Sequence, residues 1–378
     1  MNCKTVLLKD LVLGEKGSYG IGAPAVDYDP KKYTYLRITD INNDGSINTN
    51  GLKSVDAEDA YKYILQENDI VFARTGASTG KTYFYQPQDG TLVYAGFLIK
   101  FSIDPQKVNP RLLKYITHSQ EYYNWVRSFD TGGTRGNINA VTFANMPITL
   151  PDRATQDKIV AILSSLDDKI ELNRRINANL EQQAQALYRS WFVDNKKDDW
   201  KKKRLDDIIS IYDSQRKPLS GQQREKMEKI YPYYGAASLM DYVDNYLFDG
   251  IYLLLGEDGT VSDSEGFPML QYVWGKFWVN NHAHILQGKN GFTTESLYIL
   301  LKQTNVSSIV TGAVQPKISQ ANLKSVPIIM PPINLLNQYN NIIKPIFNQI
   351  RINHNQIQQL STLRDTLLPK LMSGEIKV

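Results

Sequence analysis

Two glycine-rich loops hold the side chains best suited to chemistry. The first, ARTGASTGKT at 73–82, follows an apolar run and ends on a lysine and a threonine, the residue set of a phosphate-binding loop. Such a loop needs four residues between its glycines, and three separate Gly76 from Gly80. The second loop, LLLGEDGTVSD at 253–263, has Glu257 and Asp258 and no lysine. A stand-alone nucleotide-binding or DNA-processing enzyme using Gly76–Lys81 is therefore only the alternative interpretation.

Other reactive groups are few. His282 and His284 alternate on one predicted strand face and would start a metal site, but the sequence offers no obvious third ligand. Glu257 and Asp258 are candidate paired carboxylates, yet neither loop supplies a consistent partner base. The single cysteine, Cys3, excludes an intrachain disulfide and a Cys-ligated metal centre. We therefore expect a chain that performs no reaction by itself.

The same loops carry donors and acceptors that suit DNA. Arginine, lysine, asparagine and hydroxyl side chains contact phosphates and base edges, and a carboxylate accepts from cytosine N4. The predicted DNA-contacting residues are Arg74, Thr75, Ser78, Thr79, Lys81, Arg135, Asn137 and Asn139 in the first half of the chain, and Tyr233, Tyr234, Glu257, Asp258, Gln315 and Lys317 in the second. Ordinary turn residues are the other interpretation of each.

Charge and hydropathy limit the class of protein. The chain of 378 residues has 43 Lys and Arg against 39 Asp and Glu, a net charge of +4, so any DNA binding must come from local arrangement. No run approaches the length of a membrane span, and the N-terminal apolar stretch is too short for a signal peptide. These features predict a soluble, cytoplasmic protein.

A long internal repeat organises the two loops. A shift of 180 residues places Asp69–Gly76 on Asp249–Gly256, Thr131-Gly132 on Thr311-Gly312, and Pro147 and Pro151 on Pro327 and Pro331. The start repeats with a shift of 197, where Lys4, Leu8, Asp10 and Leu11 match Lys201, Leu205, Asp207 and Ile208. The second copy thus lacks 197 − 180 = 17 residues before its glycine loop. A period this long predicts a duplicated domain and not a solenoid.

Each copy ends in a helix with a heptad seam. The seam residues are Leu163, Leu166, Ile170, Asn173, Leu180 and Leu187 in the first helix, and Ile346, Ile350, Asn353, Ile357, Leu360 and Leu367 in the second. Asn173 falls on Asn353, and one buried asparagine fixes register because a slip leaves its amide in an apolar surrounding. Tolerance of these asparagines near a wet end is the other interpretation. Pro345 is expected to kink or restart the second helix, and Pro369 to end its seam.

The predicted fold is α+β, with two duplicated α/β globules separated by two long helices. If the helices pack as an antiparallel coiled coil with pseudo-twofold symmetry, the globules lie at opposite ends of the pair. The expected divisions are 1–150, 151–195, 196–330 and 331–378, with Val193–Asp207 beginning as a linker. TLVYAGFLIKF at 91–101 is predicted to be a strand and residues 111–129 a helix.

This order of globules and helices resembles the specificity subunit of type I restriction-modification enzymes. The resemblance is carried by blocks at 137–176, 186–194, 231–259, 311–332 and 367–376, among them ALYRSWFVD and TGAVQPKIS. TGGTRGNIN at 131–139 departs from the Gln-Pro/Lys form of its counterpart TGAVQPKIS.

The resemblance implies two target recognition domains, each reading one half of a split double-stranded DNA sequence. It implies that the conserved helices space the two domains and dock two methyltransferase subunits and possible restriction subunits. The chain would bind no cofactor, while its partners would use S-adenosylmethionine for adenine methylation, and ATP with magnesium for restriction. A coiled-coil adaptor whose globules bind protein is a third interpretation.

Overall fold

The computed structural model describes residues 3–49, 51–130, 136–312 and 314–378. The chain divides into unit 1, Met1–Glu171 with Ile357–Val378, and unit 2, Leu172–Gln356. Each unit holds one α+β globule and a segment of both long helices. Within the described ranges, no helix combines the length and the apolar character needed to span a bilayer.

Unit 1 is built from short strands and short helices. The strands are β1 Lys4–Leu7, β2 Ser18–Tyr19, β3 Ala25–Asp27, β4 Tyr33–Leu36, β5 Lys53–Val55, β6 Asp69–Ala73, β7 Thr82–Phe84, β8 Leu92–Tyr94, β9 Leu98–Ser102 and β10 Pro147–Leu150. The helices are α1 Pro110–Ile116, α2 Gln120–Arg127, α3 Ala140–Ala144 and the long α4 Arg153–Tyr188, which continues into unit 2 and ends in a π-helical segment, Arg189–Asp194. The strands form an antiparallel sheet β2-β9-β6-β7, a mixed sheet β3-β5-β4-β8 and the antiparallel pair β1-β10.

Strand alternation places β6 between two of the hydrophobic cores of unit 1. Ile70 and Phe72 of β6 point to one side, where the Phe72 and Phe143 ring centroids lie 4.8 Å apart and the short helices pack. Val71 and Ala73 point to the other side and pack with strands of the second sheet. The β6 strand is therefore buried on both faces, and its end has a fixed position.

Unit 2 uses one larger sheet. Its strands are β11 Lys201–Arg204, β12 Ile209–Ile211, β13 Tyr231–Tyr234, β14 Leu239–Val243, β15 Phe248–Gly256, β16 Leu270–Val279, β17 Ala283–Gly288 and β18 Pro327–Met330. The helices are α5 Gly221–Glu225, α6 Thr294–Lys302, α7 Gln320–Ser325 and the long α8 Ile333–Ser373, which continues into unit 1. The sheet order is β12-β17-β15-β16-β13-β14, in which β13 and β16 are parallel, and β11 pairs separately with β18.

The domain duplication is confirmed by register. In the first copy Leu7 pairs with Pro147, and in the second Arg204 pairs with Pro327, which are the two sequence shifts of 197 and 180 residues. Local hydrogen bonds repeat with the same shifts. The Asp10 carboxylate accepts from the Leu7 N–H, as Asp207 does from Arg204, both at 2.9 Å.

Several local predictions are wrong. The segment 91–101 is two strands in different sheets, because the Leu98 N–H donates to the Ala95 carbonyl (2.8 Å) and turns the chain at Gly96. Helix 111–129 breaks between α1 and α2, where the Thr117 hydroxyl donates back to the Leu113 carbonyl and Ser119 caps the next helix. The basic end of the expected linker, Lys201–Arg204, is strand β11.

The second long helix is not interrupted. Helix α8 runs from Ile333 to Ser373 and includes Pro345 and Pro369, so the expected restart at Pro345 is wrong. Ile343 and Phe347, on either side of Pro345, are fully buried in the core of unit 2. Their packing offsets the hydrogen bond that the proline removes.

Within each unit the two long helices are antiparallel. In unit 2, Asn173 faces Gln356 and Asn177 faces Asn353, and in unit 1, Asp167 faces Arg364. The twelve predicted seam residues are all buried or half-buried: Leu163, Leu166, Ile170, Asn173, Leu180, Leu187, Ile346, Ile350, Asn353, Ile357, Leu360 and Leu367.

A buried polar layer crosses the helix pair in unit 2. Asn353 donates to the Asn177 side-chain oxygen at 2.8 Å, and Asn177 donates to the Ile350 carbonyl at 3.2 Å. Asn173 donates to Gln356 at 3.1 Å. Each amide depends on a partner at one position of the opposite helix, so a shift in register would leave it unpaired.

Asn353→Ala is expected to lower the free energy of unfolding by about 1–3 kcal/mol, because the buried Asn177 oxygen loses its donor. Urea unfolding of the full chain measures the change. The double variant Asn177→Leu/Asn353→Leu is expected to regain stability, since it removes donor and acceptor together. An Asn353→Ala chain as stable as the unchanged protein would contradict the role given to this layer.

A half-buried carboxylate fastens the globule of unit 1 to both long helices. Asp167 of α4 accepts from Lys114 of α1 at 2.6 Å and from Arg364 of α8 at 2.9 Å. The Tyr115 hydroxyl donates to the same carboxylate at 3.0 Å. Burial alone would raise the pKa of Asp167, but the charges and hydrogen bonds of Lys114 and Arg364 outweigh it and hold this pKa below its usual value.

Asp167→Asn is expected to cost about 3 kcal/mol at pH 7, because two half-buried cations lose their shared partner. The folded pKa lies below the unfolded one, so the contribution of Asp167 is present at neutral pH and is lost as pH falls through the folded pKa. The stability gap between the two proteins should thus shrink below about pH 4. Unfolding curves between pH 2 and pH 7 measure it. The control is Asp168→Asn, an exposed neighbour on the same helix; an equal gap at every pH would refute the assignment.

Candidate nucleic-acid interface

Arg74 is a predicted DNA-contacting residue of unit 1 whose side chain contacts residues from distant parts of the sequence. It follows the buried strand β6, and its N–H donates to the Phe97 carbonyl at 3.1 Å. Its guanidinium donates to the Asn137 side-chain oxygen at 3.3 Å and lies 5.1 Å from the centre of the Tyr19 ring. The Tyr19 hydroxyl accepts from the Ala140 N–H at 3.2 Å. The structure thus brings Arg74 and Asn137 together.

The other predicted residues of the first loop mostly support its shape. The Thr79 hydroxyl bridges the carbonyls of Gly76 and Gly136 at 2.9 and 3.0 Å. Ser78 is buried, Thr75 is half-buried, and Lys81 donates to the Ile41 carbonyl at 3.0 Å. Asn139 is exposed and caps α3 by accepting from the Thr142 N–H at 2.9 Å. Arg135, with Thr131-Gly132, lies outside the described residues.

The first loop lacks the framework of a phosphate-binding loop. After Gly80 the chain enters strand β7, whereas a phosphate loop leads into a helix whose N-terminal amides face the phosphates. The Lys81 amine is bound to a protein carbonyl, and the Tyr122 hydroxyl donates to the Gly80 carbonyl at 2.6 Å. These contacts make the segment a closed turn and do not favour the nucleotide-binding alternative.

Sequence reasoning missed three exposed apolar side chains around Arg74. Tyr19, Phe97 and Val141 are 42%, 58% and 70% exposed. They lie far apart in sequence, and strand pairing together with the α3 cap assembles them. One feature of the sequence could have indicated the exposed aromatic residue, because it directly follows Gly96 and glycine is typical of turns. The prediction of one continuous strand obscured this feature.

In unit 2, the acidic loop is held by a half-buried guanidinium. Arg216 donates to the Glu257 carboxylate at 2.6 Å and to the Ala283 carbonyl at 2.8 Å. The Lys317 amine lies 3.4 Å from the other Glu257 oxygen. The backbones join as well, because the Ile318 N–H donates to the Glu257 carbonyl at 2.8 Å. Glu257 is therefore engaged inside the protein and joins the loops at 256–259 and 311–318.

His284 extends this network into the core. Its Nδ1 lies 2.6 Å from the Asp213 carboxylate and its Nε2 lies 2.8 Å from the Ile318 carbonyl. Burial would raise the pKa of Asp213, but hydrogen bonds from His284 and Ile285 and the charge of Arg216 outweigh it and hold this pKa below its usual value. The network fixes the strand ends beneath both loops.

The same residues do not fit a metal ion. Asp213, Glu257 and His284 offer ligand atoms within 4.8 Å of one another. Arg216 already supplies positive charge, at 2.6 Å from Glu257 and 3.5 Å from Asp213. Both ring nitrogens of His284 are bound to protein acceptors, whereas a ligating histidine needs one nitrogen free. His282, the other histidine that was weighed as a candidate metal ligand, contacts Asp258.

The remaining predicted residues of unit 2 differ in accessibility. Gln315 and Lys317 are exposed, in a hairpin whose base is held by the paired backbones of Thr311 and Lys317. Asp258 contacts His282 and is half-buried. Tyr233 is 1% exposed, and its hydroxyl accepts from the Leu219 N–H. Burial raises the pKa of Tyr234 to about 12, since its ring packs on Phe277.

Comparisons with known proteins agree with this architecture. The putative type I restriction enzyme specificity subunit S.HindORF215P of Haemophilus influenzae is 35% identical over 137 residues, which are 36% of this chain and 34% of that protein. The MjaIX specificity subunit of Methanocaldococcus jannaschii is 28% identical over 304 residues, 70% of this chain and 69% of that one. The chain therefore spans about a third of the first relative.

A solved structure matches over nearly the full length. The crystal structure of the type I restriction-modification S subunit from M. genitalium covers 98% of this chain and 96% of its own, with a TM-score of 0.50 and 18% identity, and so shares the fold. The family described as the type I restriction modification DNA specificity domain matches residues 2–182 and again 197–362, one match for each copy of the duplicated domain. The chain belongs to this type I DNA specificity family.

Proposed function

We propose that this chain is the DNA-sequence-recognition subunit of a type I restriction-modification system. The observation that carries the proposal is the family match over both copies of the domain. Each copy also ends its buried strand in a loop held by internal hydrogen bonds. In this proposal, residues 1–150 and 196–330 are the target recognition domains, and 151–195 with 331–378 are the conserved helical regions.

In unit 1, the proposed contacts to DNA are made by the half-buried Arg74 at the end of β6 and by the exposed Asn137. An arginine pairs with the acceptors of guanine, and an asparagine with the donor and acceptor of adenine. Arg74 and Asn137 hold each other at 3.3 Å, which reduces the side-chain entropy lost on binding. Thr79 and Lys81 position the loop by donating to the Gly136 and Ile41 carbonyls, and Asn139 caps the start of α3.

In unit 2, the proposed roles divide between contact and positioning. Gln315 and Lys317 are exposed in the 311–317 hairpin and are the proposed contacts. Glu257 is a positioning residue, because Arg216 and Lys317 occupy its carboxylate. A rigid loop presents its side chains with little loss of freedom on binding.

The proposed partners follow from the family and from the helix pair. We propose that the helical regions dock two methyltransferase subunits, and restriction subunits where these exist. In such a complex the methyltransferases use S-adenosylmethionine and the restriction subunits use ATP with magnesium. The present chain supplies recognition and no reaction, and acts in the cytoplasm.

Arg216→Gln is expected to lower the free energy of unfolding by about 3 kcal/mol, because Glu257 and the buried Asp213 lose a half-buried cation. Lys317→Gln, its matched control, removes a half-exposed partner of Glu257 and should cost under about 1 kcal/mol.

If Lys317 contacts a DNA phosphate, Lys317→Gln should also reduce the slope of log affinity against log salt concentration by about 0.9. Urea unfolding and DNA binding by the assembled complex measure the two effects; an unchanged slope would argue against the contact.

Exchange of residues 196–330 for the same region of a relative is expected to change one part of the methylated sequence and leave the other part unchanged. Mapping modified adenines in cells that carry the chain and its methyltransferase subunits reads out both parts at once. The matched control exchanges residues 1–150 and should alter the other part. Changes in both parts after either exchange would contradict independent reading, and methylation without any sequence preference would contradict the proposed function.

A further inference from the structure

Phe97 is an exposed aromatic side chain on a firmly held backbone. It lies in the turn between β8 and β9 and is 58% exposed. Its carbonyl accepts from the Arg74 N–H, and the preceding Ala95 donates to the Leu36 carbonyl at 3.0 Å. Its neighbour Leu98 is fully buried. The ring therefore lies in water although its backbone is fixed on both sides.

Strand register places Phe97 beside the polar cluster of unit 1. Ala73 pairs with Leu98 in antiparallel register, so Arg74 stands opposite Phe97, and opposite residues share a face of the sheet. Tyr19 pairs with Ile99, which lies two residues from Phe97 and on the same face. Tyr19, Arg74 and Phe97 thus lie together at one end of the strands of the sheet, and Asn137 contacts Arg74 there.

We propose that Phe97 contacts the 5-methyl group of thymine in the major groove and so determines part of the sequence that unit 1 reads. The proposal rests on the proposed function and adds a base preference to it. Among the four bases of DNA only thymine offers a methyl group at the major-groove edge, and apolar side chains recognise it.

The surroundings of Phe97 favour DNA over a protein partner. In the described part of the chain no carboxylate forms an ion pair with Arg74, whose half-buried guanidinium contacts Asn137 and the Tyr19 ring. A positive, hydrogen-bonding rim around one apolar side chain is complementary to a phosphate-lined groove with methyl groups on its floor. Base contacts from Arg74 and Asn137 on the same edge would bring Phe97 to the groove as well.

The test compares thymine with deoxyuridine, which lacks only the methyl group. The full chain, assembled with its methyltransferase subunits, is titrated with duplexes that carry the sequence found by mapping modified adenines. Thymines in the part read by unit 1 are replaced one at a time. One replacement should weaken binding about fourfold, the factor for one buried methyl group. Phe97→Ala should bind the thymine duplex more weakly by a similar factor and no longer distinguish the two duplexes.

Two further variants keep the result interpretable. Phe97→Leu should retain part of the preference for thymine, since an apolar contact remains. Tyr61→Ala is the control, because Tyr61 is an aromatic residue of unit 1 that is 59% exposed and has no place in the cluster. It should keep the full preference.

The inference fails if Phe97→Ala distinguishes thymine from deoxyuridine as well as the unchanged protein does. It also fails if no replacement in the unit 1 part alters binding, or if that part contains no thymine on either strand. In these cases specific binding persists and the proposed function stands. Equal binding of cognate and unrelated duplexes would instead overturn the proposed function itself.

Discussion

A half-buried carboxylate that joins a globule to long-helix residues is the interaction on which each unit depends. In unit 1 it is Asp167, and in unit 2 it is Glu295, which accepts from Tyr272 at 2.8 Å and from Arg351 of α8 at 3.1 Å. Removing one partner leaves charge without compensation in a poorly solvated place. The globule is consequently held in one orientation on its own helix segments.

The two copies show how one framework carries two different surfaces. Strand pairs at the domain base and the short helix caps repeat residue for residue. The supports of the two glycine loops do not repeat. The Thr79 hydroxyl holds the first loop through neutral hydrogen bonds, whereas an ion pair between Arg216 and Glu257 holds the second. Because the loop supports are local, side chains at the tips can vary without disturbing the core. This is the arrangement expected of domains that share a fold and read different sequences.

Much of the framework was predictable from sequence, and the reasons are local. The repeat shifts depend only on the order of residues along the sequence. The seam asparagines follow from a seven-residue period, so neither prediction needed tertiary information. The role of Asp167 was not predictable, because Lys114 and Arg364 meet it from distant parts of the sequence. The same holds for Tyr233, which strand pairing buries, and for Phe97, which a turn exposes. The predicted restart at Pro345 was wrong because the packing of the residues on either side outweighs the backbone hydrogen bond that the proline removes.

The core of unit 1 contains Leu368 and Leu371 packed with Ile159 and Leu163. On the ribosome the second pair, Ile159 and Leu163, is synthesised more than two hundred residues before the first pair, Leu368 and Leu371. The apolar face of the early helix therefore stays uncovered until unit 2 has been synthesised. Unit 2 has no such delay, since its residues are contiguous. The later half of the protein can therefore finish folding before the earlier half, and any block to elongation near residue 357 would leave the first globule incomplete and prone to aggregate.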